Sequence, residues 1–208
     1  VSRLLCGSLG ILGPILEVSL KEMPLPREEL TVRFELAEAE ALAAFNRWAG
    51  RPLPISASAW WNGVAWLRLS GAAAAVRAAR TQLGGEVLTA EAARDWWRQL
   101  RSQQHALFGD APHLWRLSLP STAAPLTLPG TKLIEWGGAL RWYASAAAPE
   151  EVRRHAAAAG GTALHWRGGV PGGRFQPLAP AVLEIHRRLK ARFDPHGIFN
   201  PNRLVVGL

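Results

Sequence analysis

Three stretches carry residues whose types and spacing suit chemistry. Near the start, Gly7, Gly10 and Gly13 recur at steps of three around Ser8, in residues 1–10 that read as a loop. Glycines so placed let backbone N–H groups approach an anion or a ring edge, because no Cβ stands in the way; a tight buried turn is the plain alternative. In the middle, Trp136-Gly-Gly-Ala-Leu-Arg-Trp-Tyr143 reads as a turn running into a strand. Alternation along that strand puts Arg141 and Tyr143 on one face and Leu140 and Trp142 on the other. A guanidinium beside a phenol on rigid backbone can hold a carboxylate through two parallel N–H···O bonds. A surface ion pair, or stacking on Trp, is the alternative there. At the end, Phe193-Asp-Pro-His-Gly-Ile-Phe-Asn-Pro201 sets two prolines around one glycine, which fixes a compact turning path. Ile198 and Phe199 within it are apolar enough to need burial, so the segment plugs into something.

Other chemistries lack their residues. A zinc site needs three or four convergent His, Cys or carboxylate ligands. The six histidines show no HxxH, HxH or HExxH spacing, so no metal is expected. Gly7-Ser8-Leu9-Gly10 lacks the GxSxG spacing of a hydrolase elbow. No acid/base pair stands out, and no catalytic residue is assigned. The single Cys6 excludes an intramolecular disulfide and a Cys-rich cluster.

The elements that position these stretches follow from pattern. A chain of 208 residues with 49% hydrophobic content can bury a substantial core, in one domain or one and a fraction. Its apolar runs are broken well before the roughly 18 residues that a membrane span needs, and a soluble, cytoplasmic protein is expected. The net charge of +8 comes from arginines scattered over every element. With no basic run or recognisable motif, nucleic acid is not expected as a partner. The ten Trp read first as core and interface filler, and the residue types suit a partner surface.

Residues 11–20 suggest a strand interrupted by Pro14, and Met23-Pro-Leu-Pro26 a boundary. From there the pattern predicts strand 31–36, helix 38–49, strand 55–61, an Asn62-Gly63 hairpin turn, strand 64–69, a helix over 72–83 capped by Ser70, and strand 86–88. That order, βαββαβ, is the ferredoxin-like arrangement: an antiparallel sheet with both helices on one face. A helix capped by Thr89 runs through Leu100 into a polar loop at 109–112. Strands 113–119, 132–136 and 139–143 follow, then a helix from Pro149, strand 163–166, a glycine-rich loop at 168–173, and a helix over 180–192. On that last helix Val182, Ile185, His186, Leu189 and Phe193 form one stripe, which makes His186 a packed side chain.

Both ends of the chain also resemble a known family. Lys190-Ala-Arg-Phe-Asp-Pro-His-Gly-Ile-Phe-Asn-Pro-Asn-Arg-Leu204 resembles the C-terminal signature of FAD-linked oxidases of the vanillyl-alcohol-oxidase type. Ser2-Arg-Leu-Leu-Cys-Gly-Ser-Leu-Gly-Ile-Leu-Gly-Pro-Ile-Leu-Glu-Val-Ser-Leu-Lys-Glu-Met-Pro24 resembles the last part of their FAD-binding domain, in particular in the FAD-binding subunits of bacterial glycolate oxidases. The resemblance implies an α+β fold: residues 1–26 ending an FAD-binding domain, 27–178 a ferredoxin-like cap or substrate domain, and 179–208 a helix and Asn-Pro turn returning to the flavin. It implies the C-terminal part of a longer protein, with the phosphate-cradling half of the flavin site upstream. Gly7, Ser8, Gly10, Gly13, Ile15 and Asn200 would then contact FAD, with Pro14 removing one N–H donor, and Arg141 and Tyr143 would contact substrate. The implied activity is oxidation of glycolate, a small 2-hydroxy acid, to glyoxylate. The implied partners are a second flavin subunit and an iron–sulfur subunit, with peripheral membrane association through them. Two other readings stay open: a stand-alone FAD-dependent 2-hydroxy acid or alcohol dehydrogenase, and a non-catalytic assembly subunit.

Overall fold

The computed structural model describes residues 2–109, 111–169 and 173–208. Parts of two expected loops, Asp110 and residues 170–172, lie outside them. The chain divides into two compact units, residues 24–163 and residues 1–23 with 164–208. Those divisions fall at 23/24 and 163/164, against the 26/27 and 178/179 that the family resemblance implies.

The smaller unit opens with one helical turn, α1 (Ser2–Leu5). Residues 14–26 that follow carry no regular structure, and the expected strand over 11–20 does not form. A strand exists only through its ladder, and among the described residues none pairs with this segment. Leu16 and Leu20 are accordingly exposed.

The larger unit begins with β1 (Glu28–Glu35), α2 (Glu38–Ala49), β2 (Ile55–Trp61), β3 (Val64–Gly71), α3 (Ala73–Leu83) and β4 (Glu86–Val87). Its strands lie antiparallel in the order β4-β1-β3-β2, the ferredoxin-like arrangement. Local chemistry accounts for each boundary. Asn62 and Gly63 both take positive φ, 44° and 83°, as the tight hairpin between β2 and β3 requires. At the start of α2, the Ala37 N–H donates to the Glu40 carboxylate at 3.0 Å, closing one orphan donor of the helix. Ser70 is not a cap: it continues β3 opposite Glu29, and α3 starts after Ala72 with no side-chain cap.

The sheet then extends. α4 (Ala90–Arg101) is capped by Thr89, whose Oγ1 accepts from the Ala92 N–H. It leads to β5 (Leu114–Ser118), β6 (Thr131–Glu135), β7 (Leu140–Ala144) and α5 (Pro149–Ala158). An eighth strand, β8 (Thr162–Arg167), starts in this unit at the β5 edge, and the full order is β4-β1-β3-β2-β6-β7-β5-β8. On one face α2 and α3 pack Leu42, Phe45, Trp48 and Val76 against Val32, Leu67, Leu69 and Ile134. On the same face α5 packs Val152 and Ala156 against Trp115, Leu117 and Tyr143. The other face carries α4: Leu100, with Trp96 and Trp97 partly buried, packs near Ala59, Leu133, Leu140 and Trp142. So the two helices of the βαββαβ part share one face, and α4 covers the other. Full burial of each such side chain is worth about 1.5–3 kcal/mol.

The smaller unit resumes with the end of β8 and closes with α6 (Pro180–Phe193). The stripe expected on α6 is displaced. Val182, Ile185 and Phe193 are exposed, while Leu183, Leu189 and Lys190 turn inward beside Ile11, Leu12 and Leu208. A lysine on the buried face is what hid the true stripe from a hydrophobicity pattern. Among the described residues no helix is long and apolar enough to cross a membrane.

Candidate functional site

In the smaller unit, α6 delivers Lys190 into the interior. Its ammonium donates to Asp194 Oδ2 at 2.5 Å, to the Ile11 carbonyl at 2.8 Å and to the Phe199 carbonyl at 2.6 Å. Three donors meet three acceptors, which is the full capacity of an ammonium. Asp194 in turn accepts from the Ile198 and Phe199 amides at 3.1 and 2.9 Å. Burial pushes the Asp194 carboxyl up, but the hydrogen bonds from Lys190, Phe199 and Ile198 outweigh it and hold it down at about 2. One ion pair thus ties the last helix, the Pro195–Pro201 turn and the N-terminal loop together. The sequence reading missed both residues; the signal available was the i,i+4 spacing of Lys190 and Asp194 at a helix end.

The residues expected at a cofactor fall around this clasp. Asn200, at φ 41°, donates from Nδ2 to the Leu9 carbonyl at 2.7 Å. A Cβ added at Gly10 would lie 2.7 Å from that same nitrogen, so the glycine there makes room for this chain's own turn. Gly7 and Gly13 differ: an added Cβ meets no atom within 4 Å, and bare backbone faces open space. Ser8 is buried, and its carbonyl accepts from the Ile11 amide at 3.1 Å. Ile15 is exposed. Gly7, Gly13 and Ile15 are thus left open, while Gly10, Ser8 and Asn200 are engaged by contacts within this chain.

Arg141 and Tyr143 sit in the larger unit, on the face that alternation assigns them, and both are 0% exposed. Arg141 donates from Nε to the Gly138 carbonyl at 3.1 Å, from Nη1 to the Ala124 carbonyl at 2.7 Å, and from Nη2 to the Ala123 carbonyl. Its guanidinium is engaged by the loop over 120–129 and the turn over 136–138. As placed, it holds backbone, which differs from the substrate contact expected of it. Tyr143 lies near the Glu38 carboxylate, which pairs with Lys132 at 2.5 Å. Burial pushes the phenol well up, Glu38 pushes it the same way, and Arg141 opposes. In its own case burial lowers the Arg141 guanidinium's affinity for its proton, with Tyr143 and Glu38 opposing.

On the opposite face the structure gathers residues that pattern reading left unassigned. Glu135 on β6 and Arg116 on β5 flank β7, opposite Leu140 and Trp142 respectively. Trp142 Nε1 donates to Glu135 Oε2 at 2.8 Å, and the Arg116 guanidinium lies over the rings of Trp136 and Trp142 at 5.4 and 6.0 Å. Burial pushes the Glu135 carboxyl up, against the Trp142 hydrogen bond and the Arg116 charge. Strand alternation could have placed Arg116 with Trp142, but their pairing depends on β5 lying beside β7.

No family model matches this sequence. The chain is 43% identical over 208 residues to the glycolate oxidase subunit GlcE of Escherichia coli (strain K12). The similarity runs the full length of this chain. It spans 58% of the length of that relative, corresponding to its C-terminal part.

Proposed function

We propose that this chain forms part of the FAD-binding subunit of a glycolate oxidase complex, which oxidises glycolate to glyoxylate and works in the cytoplasm. The observation that carries the reading is whole-chain similarity to a glycolate oxidase subunit, joined to a clasp that fastens together the two segments expected at the cofactor. Bound flavin would supply a hydride acceptor. The chain's own part is to offer the backbone edge at Gly7 and Gly13 and the side chain of Ile15 to that cofactor, with Ser8, Gly10 and Asn200 keeping the loop and turn in register. A second flavin subunit and an iron–sulfur subunit are the proposed partners that carry electrons onward and bring the assembly to a membrane surface.

The test is to purify the full-length subunit with and without its partner subunits, then measure FAD content and glycolate-dependent reduction of an acceptor dye. The reading predicts FAD in this subunit and turnover in the complex. FAD with full turnover in the subunit alone would replace it with a stand-alone dehydrogenase. Absence of FAD from this subunit inside an active complex would leave it an assembly subunit.

A further inference from the structure

The turn between β6 and β7 is strained in a way that folding alone does not require. Trp136 has φ 53°, a left-handed conformation that is a true outlier for a bulky residue, and its side chain is 65% exposed. An exposed indole gains little from burial, so nothing in the core repays that strain. The turn is nevertheless held from several sides. Ser58 Oγ accepts from the Gly137 N–H at 2.7 Å, Arg141 Nε takes the Gly138 carbonyl, and the missing Cβ of Gly138 leaves room for the Ser121 carbonyl, which would lie 2.7 Å from it. Strain that the surroundings enforce and the core does not use marks a place where a side chain is being aimed.

Trp136 is aimed at Arg116. That guanidinium is half-buried, bonded through Nη1 to Ser118 Oγ at 3.1 Å and stacked toward both indoles. Among the described residues it makes no ion pair. Glu135 lies near enough to feel its charge, yet the two stay apart, one on each side of β7 at strand spacings of about 4.8 Å. Trp142 fixes one oxygen of Glu135 and leaves Oε1 to accept from something else. A planar cation over two aromatic rings, a carboxylate with one uncommitted oxygen across from it, and an exposed indole beside them make a two-ended polar site.

We propose that Arg116, Glu135, Trp136 and Trp142 form a binding site for a small 2-hydroxy carboxylate, Arg116 taking the carboxylate and Glu135 Oε1 accepting the hydroxyl hydrogen. The choice of ligand rests on the glycolate reading above. The role expected of Arg141 passes to Arg116, with Arg141 as a positioning residue that fixes the turn from below. Arg suits this task better than Lys, because its planar fork stacks on the indoles while still pairing a carboxylate.

The experiment titrates the full chain with glycolate, acetate and ethylene glycol and follows the indole N–H resonances of Trp136 and Trp142. It reads binding and not turnover, so it can fail while the flavin measurements succeed, and the reverse. Glycolate should shift both indoles saturably, acetate about tenfold more weakly, and ethylene glycol not at all. Arg116→Met should abolish the response and Arg116→Lys weaken it. Glu135→Gln should shrink the preference for glycolate over acetate. Circular dichroism confirms folding; if Arg116→Met does not fold, Arg116→Lys and Trp136→Ala decide, each expected to weaken glycolate about tenfold. Unsaturable shifts, or unchanged affinity in the folded Arg116 variants, overturn the site. An unchanged glycolate preference in Glu135→Gln overturns the role of Glu135.

Discussion

Lys190 and Asp194 form a buried ion pair one helical turn apart, and every remaining hydrogen bond of both groups goes to backbone from a different segment. A lysine that spends two donors on carbonyls of residues 11 and 199 acts as a tether. Replacing it with Met leaves two carbonyls and a carboxylate without their donor in a buried place, which costs more than the pair itself contributes.

Lys190→Met should therefore free the 195–201 turn while leaving the larger unit intact. Amide hydrogen exchange at Ile198 and Phe199 should quicken, with residues 28–35 unchanged, and FAD affinity of the full-length subunit should fall on the order of tenfold. Unaltered exchange at Phe199 would show that the tether is not what orders the turn. The same pair has an acid signature. Asp194 is held at about 2 from an ordinary 3.8, so its stabilisation is complete above about pH 4 and is lost as pH falls through about 2. Acid titration of the turn's exchange rates checks that window.

Arg141→Met should destabilise the larger unit by about 3 kcal/mol, because a buried Gly138 carbonyl and the part-buried Ala123 and Ala124 carbonyls lose a charged donor at once. Arg141→Lys should recover only part of it, since one ammonium cannot span the Gly138, Ala123 and Ala124 carbonyls in the guanidinium's plane. Urea melts of the two variants give the comparison.

The two glycines of the β6–β7 turn should respond unequally. At Gly138, φ 101°, a Cβ would sit 2.7 Å from both Leu42 Cδ2 and the Ser121 carbonyl oxygen. Gly138→Ala should cost about 3 kcal/mol, strain and overpacking together. At Gly137, φ 65°, a Cβ meets nothing within 4 Å, and Gly137→Ala should cost only about 1 kcal/mol of conformational preference. Equal losses in thermal melting would contradict the packing drawn around Gly138.

Glu135 supplies a pH test of opposite sense to Asp194. Burial raises its carboxyl above the ordinary 4.5, so the folded state holds the proton more tightly than the unfolded one. Stability should then fall as pH rises from that value through the raised one. Glu135→Gln keeps an acceptor for the Trp142 indole and removes the charge. It should melt higher than the parent at pH 8, and the gain should vanish toward pH 4.

Much of this was legible in the residues themselves. Helix 38–49, the Asn62-Gly63 hairpin, the Thr89 cap and the Pro149 and Pro180 helix starts all depend on groups within a few residues of one another, so short-range chemistry suffices to place them. The alternation that sets Arg141 and Tyr143 opposite Leu140 and Trp142 is equally local. Tertiary structure decided what those side chains meet. Arg141 faces carbonyls because the 120–129 loop lies over its end of β7, and Arg116 reaches Trp142 because β5, some 25 residues earlier in the chain, pairs with β7. The strand expected over 11–20 did not form because a ladder is a property of two segments. Lys190 was invisible as a core residue because its charge is tolerable only where Asp194 and two distant carbonyls converge on it, and that convergence exists in the folded chain alone.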